Sequence, residues 1–135
     1  MSQPEVITLE IPRSPKYVAV ARKTVESIGV RAKLTDQQLS DIQVAVGEAC
    51  SNAVKHADPN SPRVSLQYRI SPHKLEIVVR NSGLPFSWKD TCKRTCGIED
   101  MPENGLGLFL IKTLVDEMTI ESHCGVTAIT MVKNL

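Results

Sequence analysis

The sequence predicts an α+β fold in two layers, a mainly antiparallel sheet with helices on one face. Three observations lead there. β-rich segments recur as neighbouring pairs, other stretches carry apolar residues at helical spacing, and the elements run strand, helix, long helix, two strands, loop, helix, two strands. The 135 residues read as one domain, 1–135, a size at which roughly two thirds of the unfolded surface is buried.

Val6 to Ile11 alternates well enough for a strand, and Pro12 ends it. Ser14-Pro15 reads as an N-cap followed by proline at the first helical position. The helix that follows has one apolar stripe, Val18, Ala21, Val25 and Ile28, and Gly29 is expected to close it. Thr35-Asp36 caps a second helix of about six turns, with a core face of Leu39, Ile42, Val46, Ala49, Cys50, Ala53 and Ala57. Asp58 to Pro62 should stop it.

Arg63 to Ile70 and Lys74 to Arg80 read as strands joined by a short turn at Ser71-Pro72-His73. From Asn81 to Asn104 all periodicity is lost. A structureless stretch of that length in a compact domain is usually functional, and 87–104 is read as a lid. Helical spacing returns from Gly105 to Glu117 through Leu108, Ile111, Leu114 and Val115. Thr119 to His123 and Val126 to Val132 then form a hairpin about Cys124-Gly125.

Sixteen Lys and Arg against fifteen Asp and Glu leave a formal charge of +1, so no global field draws the chain to nucleic acid or to an acidic membrane. No apolar run approaches the roughly 18 residues of a bilayer span, and a cytoplasmic location is expected. Cys50, Cys92, Cys96 and Cys124 lack the spacing of a disulfide framework and read as thiols.

Two segments carry chemistry. In Glu48-Ala49-Cys50-Ser51-Asn52-Ala53-Val54-Lys55-His56-Ala57, Glu48, Asn52 and His56 recur every four residues beside the apolar stripe, so their side chains lie on one face of a helix. Alone, such a row is an ordinary solvated flank. In Asn104-Gly105-Leu106-Gly107-Leu108-Phe109, two glycines open an apolar helix after a long loop. Close-approaching amides at a positive helix end can hold phosphates, while Asn52 can ligate magnesium and Glu48 can take a proton. The pair suggests an ATP site. His56 reads as a packing residue at the helix end.

The first segment resembles the N-box of the GHKL ATPase superfamily, the Bergerat fold of DNA gyrase, histidine kinases and MutL. With Val44 to Ala53, Gly105 to Ile111, Leu114 to Glu117 and Ser122 to Thr127, the chain looks like the anti-sigma factor serine-protein kinases of bacteria from about Val6 to Leu135. The resemblance implies that Asn52 holds Mg2+ against the triphosphate of ATP and that Glu48 is the general base. It assigns Gly105, Leu106, Gly107 and Leu108 to the phosphate-binding box, Gly83 to the turn after the adenine-reading residue, and Thr127 to the adenine pocket. By position, Arg22 matches an arginine that contacts protein partners.

Two positions depart from that pattern. Asn81 stands where the family usually has an adenine-binding Asp, which removes the charge-assisted part of the bond, about 1 kcal/mol. Glu103 replaces the first glycine of the second box and would repel phosphate unless it points outward.

The function implied is an ATP-dependent serine-protein kinase and anti-sigma factor, which phosphorylates a STAS-domain antagonist, sequesters a sigma factor and forms a homodimer. The alternative is a non-catalytic partner switch of the same fold with a degenerate nucleotide site. Retained Glu48 favours the kinase, since a binding module needs no base. The catalytic domain of a sensor histidine kinase would need dimerising helices and a phospho-accepting His, neither of which the sequence is expected to supply.

Overall fold

The computed structural model describes residues 3–56, 62–81, 93–95, 105–123 and 126–135. Its elements are β1 (Glu5–Pro12), a 3-10 turn (Pro15–Tyr17), α1 (Val18–Ala32), α2 (Asp36–His56), β2 (Arg63–Ile70), β3 (Lys74–Arg80), β4 (Lys93–Thr95), α3 (Gly105–Leu114), β5 (Glu117–His123) and β6 (Val126–Asn134). The six strands form one sheet in the order β1-β2-β3-β6-β5-β4, antiparallel at every pairing. The expected α+β sandwich is the fold observed.

Register decides which side chains meet the helices. Ile11, Val64, Leu66, Tyr68, Leu75, Ile77, Val79, Ile129 and Met131 are buried and fall on one face of the sheet. They pack with the α1 stripe Val18, Ala21, Val25 and Ile28 and with Ile42, Val46, Ala49, Cys50 and Ala53 of α2, as the period-2 and period-3.6 patterns require. On the other face, Arg80 is enclosed between its small register partners Ser65 and Ala128. Burial pushes its guanidinium pKa down, and the Glu10 carboxylate acts in the opposite direction.

The start of α2 is a capping box. Thr35 Oγ1 accepts from the Gln38 amide at 3.1 Å, while Gln38 Oε1 accepts from the Thr35 amide at 2.9 Å. Thr35→Ala is expected to cost about 1 kcal/mol. It should appear as a lower urea midpoint at unchanged m-value; an unshifted midpoint would mean that packing alone sets this end.

Several boundaries differ from the sequence reading. α1 does not stop at Gly29 but runs to Ala32, where Lys33 takes the left-handed conformation, φ 59°, and its N–H reaches the carbonyls of Gly29 and Val30. Gly29 instead permits close packing, since a methyl group there would come to 3.3 Å of Leu39 and 3.4 Å of Leu34. Ser14 occupies the N-cap position without a side-chain bond, and its helix opens as a 3-10 turn. A short strand, β4, lies within the stretch read as structureless and pairs with β5.

Helical spacing after Gly105 runs to Glu117 in sequence, but α3 ends at Leu114. Glu117 instead pairs with Val132, the Asp116 amide donates to the Val132 carbonyl at 2.9 Å, and Lys133 Nζ caps the Leu114 carbonyl at 3.0 Å. Sheet pairing overrides helical spacing here. β6 also runs two residues beyond Val132, to Asn134. Ala57, the expected stop at 58–61 and the Cys124-Gly125 turn lie outside the described residues.

Candidate nucleotide site

α2 carries the central residues. Its first half, through Ile42, Ala45 and Val46, lies over Leu75 and Ile77 at the start of β3 and Met131 near the end of β6. Its second half therefore runs toward the end of β3 and the start of β6, and bears Glu48 and Asn52. Both follow the helical period at the edge of the buried stripe: Glu48 is half-buried and Asn52 is 8% exposed. The side chains of Glu48 and Asn52 make no hydrogen bond to protein among the described residues. A nearly buried amide left unmatched in this way suits ligation of a cation or a phosphate-bound group.

α3 begins at Gly105, so the amides of its first three residues, Gly105, Leu106 and Gly107, lack intrahelical acceptors. The Leu108 side chain is buried in the core and anchors this end of α3. Gly107 touches the other half of the site. A methyl group on it would come to 3.0 Å of Glu48 Oε1, so the carboxylate rests against the first turn of α3. Two segments more than fifty residues apart in sequence thus meet at a carboxylate and a positive helix end.

A second pairing joins the strands. Arg80 is opposite Ala128 in register, so Asn81 follows beside Thr127. Asn81 Oδ1 accepts from the Thr127 amide at 3.0 Å, and the Asn81 amide donates back to the Thr127 carbonyl at 3.3 Å. Asn81 is 3% exposed. The amide donor identifies the oxygen end of this carboxamide, an atom type that carries two lone pairs.

Arg22 is exposed on α1, and its stem crosses α2 at Gly47. Gly83, Glu103 and most of the expected lid lie outside the described residues, as do Cys92, Cys96 and Cys124; of the side chains of His56 and Leu106 nothing is described. Cys50 is a buried free thiol whose pKa burial pushes up to about 12, which keeps it protonated and unreactive. Among the described residues no helix is long and apolar enough to cross a membrane, and no group of three or more His, Cys, Asp or Glu could hold a metal ion. The carboxamide oxygen of Asn52 is a hard donor of the kind that magnesium accepts beside phosphate oxygens and water.

Residues 11–133 match the family described as the histidine kinase-like ATPase domain, and the chain belongs to that family. Within it, the resemblance to the serine-protein kinases holds. The chain is 35% identical over 132 residues to serine-protein kinase RsbW of Bacillus velezensis, covering 91% of this chain and 82% of the relative. It is 36% identical over 131 residues to serine-protein kinase RsbW of Halalkalibacterium halodurans, covering 92% and 80%. A crystal structure of the RsbU and RsbW domains of Rv1364c from Mycobacterium tuberculosis shares the fold, with a TM-score of 0.66 and 16% identity over 96% of this chain, which spans 32% of that longer one.

Sequence reasoning missed the contacts of Gly47 and Gln43 with Arg22. The available signal was a glycine in the middle of a long helix, where it costs roughly 1 kcal/mol relative to alanine.

Proposed function

We propose that this single domain, 1–135, is an ATP-dependent serine-protein kinase and anti-sigma factor that phosphorylates a STAS-domain antagonist and sequesters a sigma factor. The observation that carries the reading is the Glu48 carboxylate set against Gly107 at the N-terminus of α3. It puts a base next to the amides suited to a triphosphate. The likeness to RsbW serine-protein kinases supports the reaction type.

The substrate serine Oγ forms a bond to the γ-phosphorus as the bond from that phosphorus to the β,γ-bridging oxygen breaks. Glu48 accepts the hydroxyl proton, and ADP carries the leaving charge. The amides of Gly105, Leu106 and Gly107 stabilise phosphate oxygens, Leu108 anchors the turn that presents them, and Gly107 lets them approach closely. Asn52 would hold Mg2+, which supplies charge neutralisation at the phosphates. Asn81, oriented by Thr127, reads the adenine amino group through its oxygen, and Gly83 belongs to the same adenine-binding assignment. Arg22 is the partner contact. Homodimerisation and a cytoplasmic location belong to the same reading.

Asn81→Asp keeps an acceptor for the Thr127 amide and adds charge to the adenine bond. It is expected to tighten adenine nucleotide binding several-fold, a gain of about 1 kcal/mol. Calorimetry reads it directly, and weaker binding would show that the amide is adapted to this site. The whole proposal is tested by titrating ATP with and without magnesium and then assaying transfer to purified STAS domains of the source organism. Magnesium-dependent micromolar binding with transfer to serine is expected. No binding up to millimolar ATP would leave a non-catalytic partner switch.

A further inference from the structure

Arg22 is held from three sides. The carbonyl of Ala21 accepts from Tyr68 Oη of the sheet at 3.1 Å, and the carbonyl of Arg22 accepts from Gln43 Nε2 of α2 at 3.2 Å. These bonds fix the turn of α1 from which the side chain leaves. The stem then lies across α2 at Gly47, where a methyl group would come to 2.9 Å of Arg22 Cδ, 3.7 Å of Cγ and 3.8 Å of Nη1. Its guanidinium is exposed and makes no ion pair among the described residues, whereas Arg31, Arg63 and Arg69 pair with Glu5, Glu10 and Glu76. An arginine with fixed backbone, seated stem and open head group is arranged to meet something outside the chain.

We propose that Gly47 is a positioning residue for partner recognition: the slot left by its missing side chain seats Arg22 on the helix that carries Glu48. The guanidinium is thereby presented to carboxylate or carbonyl groups of the docking protein, one residue along α2 from the base. The inference rests on the kinase reading, and it explains a buried glycine inside α2 that helix propensity disfavours. Any side chain at 47 must displace Arg22. Because the obstructing atoms belong to a flexible, exposed side chain, the displacement changes where the guanidinium points and leaves the packing of α1 on α2 in place.

The test is a double-mutant cycle of Gly47→Ala and Arg22→Ala, with phosphate transfer from labelled ATP to the STAS domain that the wild-type protein phosphorylates as the readout. Gly47→Ala should raise KM for the STAS domain about tenfold, the size of a lost interface arginine, with KM for ATP held and the thermal midpoint equal or higher. In the Arg22→Ala background it should add less than about twofold, since the group it acts through is gone. An equal loss in both backgrounds, or no loss in either, overturns the positioning role while leaving the kinase standing. Wild-type transfer to none of the STAS domains sinks both. If Gly47→Ala does not purify folded, Gln43→Ala, which removes the bond to the Arg22 carbonyl without adding an atom, is read in the same cycle with the same two outcomes.

Discussion

Glu48→Ala is expected to bind ATP as well as the wild-type protein and to lose phosphoryl transfer almost entirely. A positioned general base contributes roughly 10²- to 10⁴-fold. Binding should survive because the groups assigned to the nucleotide are the α3 amides, Asn52 and Asn81. Removing a negative charge beside the phosphates would if anything tighten it. Folding should survive too, since Glu48 is half-buried, makes no protein hydrogen bond among the described residues and becomes a strong helix former. Calorimetry and a labelled-phosphate assay together decide. A variant that still phosphorylates its partner at the normal rate removes Glu48 from the mechanism, and one that fails to bind ATP makes it a binding residue.

Asn52→Ala should fail one step earlier. Its amide is nearly enclosed, one turn beyond Glu48, and in the proposed reading it would hold the magnesium ion. Loss of one interaction with a charged group is worth about 1.5–3 kcal/mol, or roughly 10- to 100-fold in affinity. That loss should appear in titrations containing magnesium and largely vanish when magnesium is withheld. Equal affinity for the variant and the wild-type protein in the presence of magnesium would end the proposed role. The two substitutions thus separate a residue that acts on the reaction from one that acts on the bound state, although they sit four residues apart on one helix.

Much of this site was legible because its logic is local. The spacing of Glu48 and Asn52 sets them on one face of α2 whatever the rest of the chain does, and Gly105 and Gly107 open a helix by their own position. That the two segments serve one site was an inference from complementary roles; the proximity of Glu48 to Gly107 is a property of the folded chain. The hydrogen bond from Thr127 to Asn81 was not legible at all. It follows from the pairing of β3 with β6, which are separated in sequence by β4, α3 and β5.

The sequence by itself determined the fold class, the buried stripes of α1 and α2, the β2–β3 hairpin and the candidate phosphate and base residues, because apolar period and capping chemistry act within a few residues. Only the tertiary structure decided where α3 gives way to β5, since the pairing of Glu117 with Val132 outweighs a helical spacing that continues through it. It also decided what the glycines do. Gly29 looked like a helix terminator and is a contact for Leu34 and Leu39; Gly47 looked like part of a motif and is the seat of Arg22. The absence of a side chain acquires its meaning from the neighbour that fills the space, and that neighbour comes from a distant part of the chain.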